Sequence, residues 1–86
     1  MLFRSSQQIQ IIPNPNNGVF TIQLLQKQRS TSKIEIINLT GQVVFSDELY
    51  SGQLKKEISL PQSMSGLYTC RIINNEKVFQ SLFIVR

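Results

Sequence analysis

Residues 33–45, KIEIINLTGQVVF, hold two apolar stretches separated by a polar turn that contains one glycine. In the first stretch Ile34 and Ile36 alternate with charged residues, which is the period by which a β-strand sends successive side chains to opposite faces. Gly41 can adopt a positive φ at no steric cost, as a tight hairpin turn requires. The segment therefore predicts a strand, a turn and a second strand, over residues 33–38, 38–41 and 42–49.

The same two-residue period continues through most of the chain. Short apolar runs are separated by clusters of Gly, Asn, Pro and Ser, and no window of 11 or more residues has the spacing of an amphipathic helix. Apolar residues on both parities leave the inward register of the fourth and seventh strands open. The five further predicted strands are Ile9–Ile12, Val19–Leu25, Leu54–Leu60, Leu67–Ile73 and Lys77–Val85.

Seven short strands predict an all-β protein, an antiparallel β-sandwich. Each strand has one apolar stripe, and two sheets packed face to face bury all the stripes together. Sheet edges need protection against pairing with other chains, and cations at or near the edges provide it. We expect this role for four residues, Lys27, Arg29, Lys55 and Lys56.

Composition limits the chemistry open to this chain. It has 86 residues, no His, one Cys and a net charge of +4. One domain of this size is expected, without imidazole catalysis, a disulfide within the chain or a Cys-rich metal site. The basic residues are scattered and Trp is absent, which favours a solvated basic surface over nucleic-acid binding. No apolar run approaches the ~20 residues of a membrane-spanning helix, so no membrane insertion is expected.

A search for reactive groups gives no catalytic residue, no metal ligand and no cofactor site. The five acids are expected on solvated faces, and no Ser has a base beside it. Cys70 shares the parity of core positions and is predicted to be a buried, inert thiol. Asn38-Leu39-Thr40 fits a glycosylation sequon but is expected to form part of a turn. Tyr50, near a turn, is the one candidate for an aromatic platform that binds a sugar.

Several motifs occur in a distinctive order. Ile11-Ile12-Pro13-Asn14-Pro15 is followed by a glycine and a strand, and then by the strand-turn-strand of residues 34–44. Next come Leu60, the element Met64-Ser65-Gly66-Leu67-Tyr68, and an apolar last strand that ends in a basic residue. Over residues 9–86 this order resembles the C-terminal sorting domain of proteins exported by the type IX secretion system of Bacteroidetes.

The resemblance implies an immunoglobulin-like sandwich without catalysis or a cofactor. Such a domain acts as an address that the outer-membrane secretion machinery recognises, so that its cargo reaches the cell surface or the medium. A sortase-like peptidase then removes the domain and attaches the cargo to anionic lipopolysaccharide. By this resemblance residues 1–8 are the remnant of a linker and cleavage region, and residues 9–86 are the sorting domain. No signal peptide is visible, so we expect the chain to be a piece of a longer one.

The residues that match the family's motifs also have simpler structural explanations. Prolines fix a turn, glycines give backbone freedom, and an inward Tyr fills the core. The last strand is different, because an edge strand can pair with a partner by strand addition. A non-catalytic adhesion or carbohydrate-binding sandwich is the alternative function, and exposed edges also allow a weak homodimer. The matching residues are Pro13, Asn14, Pro15, Gly41, Gly66, Tyr68, Phe83, Ile84, Val85 and Arg86.

Overall fold

A computed structural model describes residues 8–61, 65–75 and 77–86. The predicted strands are confirmed, with ends that differ by no more than one residue. No helix long and apolar enough to cross a membrane occurs in the described part of the chain. The strands are β1 (Ile9–Ile12), β2 (Val19–Leu24), β3 (Ser32–Ile37), β4 (Val43–Leu49), β5 (Lys55–Ser59), β6 (Gly66–Asn74) and β7 (Lys77–Val85).

The strands form two antiparallel sheets. One has the order β1-β2-β5 and the other the order β4-β3-β6-β7. The division of the strands is that of an immunoglobulin-like sandwich in which the fourth strand joins the sheet of the third, sixth and seventh. The predicted β-sandwich is confirmed, and its edge strands are β1 and β5 in one sheet and β4 and β7 in the other.

The core lies between the sheets and is built from alternate residues of each strand. Phe83 of β7 is at its centre, with ring centroids 4.7 Å from Phe20 and 5.7 Å from Tyr68. Cys70 is fully buried, as predicted. Ile, Leu and Val side chains complete the core: Ile9, Ile11, Ile22, Leu24, Ile34, Ile36, Leu49, Ile58, Leu60, Ile72 and Val85.

The expected protection of the edges is found at β5 only. Lys56 faces the space between the sheets, where its Nζ lies 3.6 Å from an Asp47 carboxylate oxygen on β4, and Lys55 is exposed on the same edge strand. An inward charge of this kind blocks pairing with another strand. Lys27 and Arg29 lie in the loop between β2 and β3. They guard no strand edge, so the expectation for these two is wrong.

The turns gather at two opposite ends of the sandwich. At the end we call the motif end, the Leu60 N–H donates to the Gly18 carbonyl and the Asn16 N–H to the Ile84 carbonyl, both at 2.9 Å. At the other end, the entry end, the Gly52 N–H donates to the Gln28 carbonyl at 3.0 Å. The Leu25 N–H donates there to the carbonyl of Gln8, just before β1.

Candidate functional site

The turn that holds Pro13, Asn14 and Pro15 covers the last residues of β7. The Ile84 N–H donates to Asn14 Oδ1 at 2.9 Å, and the Ile84 carbonyl accepts from the Asn16 N–H at 2.9 Å. The Arg86 N–H donates to the Asn16 carbonyl at 2.8 Å. The turn therefore acts as a short extra strand at the edge of β7, and it holds the described end of the chain in place.

Asn16 organises this turn from within. It is only 6% exposed. Its Oδ1 accepts from the Gly18 N–H at 2.9 Å, and its Nδ2 donates to the Pro13 carbonyl at 3.0 Å. Sequence reasoning did not select Asn16. The signal was an Asn two residues before a Gly between two strands, which is the pattern of a side chain that closes a turn onto its own backbone.

The late Gly-x-Tyr element lies directly beside the end of β7. Gly66 is the register partner of Val85, and Tyr68 is the partner of Phe83. The rings of Tyr68 and Phe83 stack at an interplanar angle of 22°, and Tyr68 is buried. The Pro-Asn-Pro turn and the Gly-x-Tyr element thus hold the same few residues of β7, one from outside the sheet and one from within it.

Gly41 lies in the turn between β3 and β4, at the same end of the sandwich. Its φ is +91°, and the Asn38 side chain accepts from the N–H groups of Thr40 and Gln42 at 3.1 and 2.9 Å. The sequon is thus part of a turn, as expected. A shallow cavity of about 220 Å³ separates this turn from Gly66 and Tyr68. The residues taken from the family resemblance therefore all lie at the motif end.

Upstream of its covered end, β7 is an edge strand of its sheet, and β1 of the other sheet comes close to it. Hydrogen bonds of Ile84 point away from β6, so by the antiparallel pattern the backbone groups of Val78, Gln80 and Leu82 also point outward. No strand of the described part of the chain pairs with this stretch. On the outer face of the sheet Leu82 is 59% and Ile84 46% exposed. Leu82 and Ile84, the apolar side chains that alternate with the core residues of β7, therefore lie on the protein surface.

The described residues of the motif end offer groups that can bind another chain. Within the described ranges no three side chains among His, Cys, Asp and Glu could hold a metal ion. Burial raises the pKa of the Cys70 thiol to about 12, so the thiol stays protonated and unreactive at neutral pH. The groups suited to pairing with another chain lie upstream of this end, where the outward backbone groups of Gln80 and Leu82 follow a sheet edge beside the exposed Leu82 side chain.

Comparison with protein families accounts for this arrangement. The sequence model of a family described as "Secretion system C-terminal sorting domain" matches residues 10–86. The chain is a C-terminal sorting domain of this family. The match includes both the turn at Pro13 and the end of β7, the two segments that the fold brings together. No curated protein matches the chain.

Membership of this family defines the general function. A C-terminal sorting domain is the signal for type IX secretion, which exports proteins across the outer membrane of Bacteroidetes to the cell surface or the medium. It therefore interacts with the type IX secretion machinery. The family is a signal family and is not a known catalytic one.

Proposed function

We propose that this domain is a non-catalytic address that carries an attached cargo through the type IX secretion system for surface attachment or release. Residues 9–86 are the folded address, and residues 1–8 are the linker at which a sortase-like peptidase separates cargo from domain. The observation that supports the proposal is the convergence of the motifs. Asn14 and Gly66 are far apart in sequence, yet Asn14 is hydrogen-bonded to Ile84 and Gly66 pairs with Val85, both at the end of β7.

The recognised surface is the outer edge of β7. Its C-terminal part is shaped by the Asn14 and Asn16 contacts, and its upstream part, around Gln80, is not paired with any described strand. A strand of the secretion machinery that adds to this edge would gain backbone hydrogen bonds and contacts with Leu82. The same edge could pair two copies of the domain, and a weak homodimer would then compete with recognition.

The test is a fusion of a signal peptide, a reporter enzyme and residues 1–86, expressed in a Bacteroidetes host. Reporter activity is measured on intact cells, in the medium and in the periplasm. We expect activity outside the outer membrane in the wild-type host and retention in the periplasm in a host without a working type IX system. A reporter fusion without residues 9–86 should stay in the periplasm of both hosts. Periplasmic retention of the complete fusion would contradict the proposal.

The alternative is an adhesion or carbohydrate-binding module. Tyr50 is 58% exposed, with Lys56 Nζ 5.9 Å from its ring centroid, and an exposed ring can stack on a sugar. An array of neutral glycans distinguishes the two functions. Binding that is lost on Tyr50→Ala, together with failed export of the reporter, would favour the alternative.

A further inference from the structure

The turn that leads into β2 contains the one Asn-Gly pair of the chain. Asn17 is followed by Gly18, and none of the other five asparagines is followed by a glycine. In such a pair the backbone nitrogen of the glycine can attack the asparagine carboxamide, because a residue without a Cβ does not hinder the approach. Asn17 is also exposed to solvent. It is therefore the asparagine of this chain at which spontaneous deamidation is chemically easiest.

Deamidation joins two neighbouring groups and consumes only water. The Gly18 nitrogen loses its proton to solvent and forms a bond with Cγ of Asn17. The bond from Cγ to Nδ2 breaks, and the nitrogen takes up a proton from solvent and leaves as ammonia. Water then opens the cyclic imide at either carbonyl carbon, which leaves an aspartate or an isoaspartate at position 17. The reaction therefore cannot start until the Gly18 nitrogen has lost its proton.

The fold holds that proton in a buried hydrogen bond. The Gly18 N–H donates to Asn16 Oδ1 at 2.9 Å, and Gly18 is buried. Asn16 is only 6% exposed, and its Nδ2 donates to the Pro13 carbonyl at 3.0 Å, which fixes the orientation of the acceptor. A buried, hydrogen-bonded N–H loses its proton only when the structure opens locally, as in amide hydrogen exchange. The rate of local opening at Asn16 therefore limits the rate of attack.

Two further hydrogen bonds hold the reacting groups. The Asn17 Oδ1 accepts from the Val19 N–H at 3.2 Å, and the Gly18 carbonyl accepts from the Leu60 N–H at 2.9 Å. The Gly18 nitrogen and Cγ of Asn17 must approach to the length of a covalent bond, and both hydrogen bonds resist that movement. The bond to Val19 is exposed, so water can replace it, and the buried bond to Asn16 is the stronger restraint.

We propose that Asn17 is a deamidation site, and that the hydrogen bond from the Gly18 N–H to Asn16 suppresses the reaction in the folded domain. An isoaspartate would add one carbon atom to the backbone directly after Asn16, whose N–H donates to the Ile84 carbonyl at 2.9 Å. It would also displace the Gly18 carbonyl from Leu60. A domain modified in this way would hold the end of β7 less firmly. This inference depends on the turn alone and does not rest on the proposed sorting function.

The test follows two rates in the isolated 86-residue chain at mildly alkaline pH. Peptide mass spectrometry measures deamidation of Asn17, and nuclear magnetic resonance measures hydrogen exchange of the Gly18 amide. Asn17 should react at least about tenfold more slowly in the folded domain than in urea. Asn16→Ala should raise both rates on the order of tenfold, the effect of one buried hydrogen bond. Asn16→Asp keeps an acceptor oxygen at this position, so both rates should stay within about threefold of the wild type.

The matched control for loss of stability is Gly41→Val, which strains a different turn, where φ is +91°. It should change the deamidation of Asn17 by less than about twofold. Equal acceleration by Gly41→Val and Asn16→Ala would show that global unfolding controls the reaction and would overturn the proposal.

Three other results would overturn it as well. The first is a folded wild type that deamidates as fast as the chain in urea, a comparison that holds even if Asn16→Ala does not fold. The second is a folded Asn16→Ala domain that reacts at the wild-type rate. The third is Asn16→Asp that reacts as fast as Asn16→Ala. The secretion fusion described above is measured separately, so failure of one proposal leaves the other standing.

Discussion

Replacement of Asn16 by Ala should destabilise the domain far more than an ordinary change in a turn. The Gly18 N–H, at a buried position, loses its acceptor, which costs about 1–3 kcal/mol. The Pro13 carbonyl, on an exposed residue, also loses its donor, but water can replace that bond, so it adds only about 0.5 kcal/mol. We expect the free energy of unfolding to fall by about 2–3 kcal/mol in total, and Tm by about 10–20 °C for a domain of this size.

The assay is urea unfolding of the isolated domain, followed by circular dichroism. The matched control is Asn17→Ala, the neighbouring amide. Asn17 accepts from the Val19 N–H at 3.2 Å in an exposed position, so water can replace that bond, and the expected loss is below about 0.5 kcal/mol. If Asn16→Ala lowers the free energy of unfolding as little as Asn17→Ala does, the role of the buried Asn16 amide is refuted. The structural explanation of the Pro-Asn-Pro turn would then be refuted as well.

Two further predictions concern stability. Gly41→Val and Gly66→Val should each lower the free energy of unfolding by ~1–3 kcal/mol, since φ is +91° at Gly41 and +149° at Gly66; unchanged melting temperatures would contradict this. Cys70 should make unfolding easier as pH rises from 9 to 12, because its pKa rises from 9.0 to about 12 on folding and only the unfolded thiol ionises in that range. The free energy of unfolding should fall by about 1.4 kcal/mol per pH unit in this range. Urea titrations of Cys70→Val should lack this part of the pH dependence. An identical pH dependence in both proteins would contradict the role of Cys70.

The strands could be predicted because most of them bury one face. Phe20, Ile22 and Leu24 all reach the core, and their alternation is visible in the sequence. The inward register of β4 could not be predicted, because β4 is an edge strand with a bulge opposite Ile36 and Ile37, and its apolar residues Val43 and Val44 stay exposed. An edge strand buries too little to impose a single pattern on its sequence.

The site was accessible from the sequence only in part. The motif residues came from a family resemblance, and the fold explains why they belong together, since Asn14 and Ile84 are hydrogen-bonded at 2.9 Å across 70 positions. Contacts over such a separation leave no local pattern in one sequence. The same holds at the entry end, where Lys27 and Lys77, far apart in sequence, line one groove.

Recognition at the edge of β7 is tested most directly by export of the reporter fusion that carries Gln80→Pro. Proline removes the N–H of residue 80, which points away from β6, and edge strands tolerate proline at such positions. Leu82→Lys places a charge on the same edge and serves as a second variant, and Gln80→Ala is the control. Melting temperatures establish first that the variant domains are folded. We predict that the reporter stays in the periplasm when the domain carries Gln80→Pro or Leu82→Lys, and that it is exported when the domain carries Gln80→Ala. Export of both folded edge variants at the wild-type level would contradict recognition through this strand.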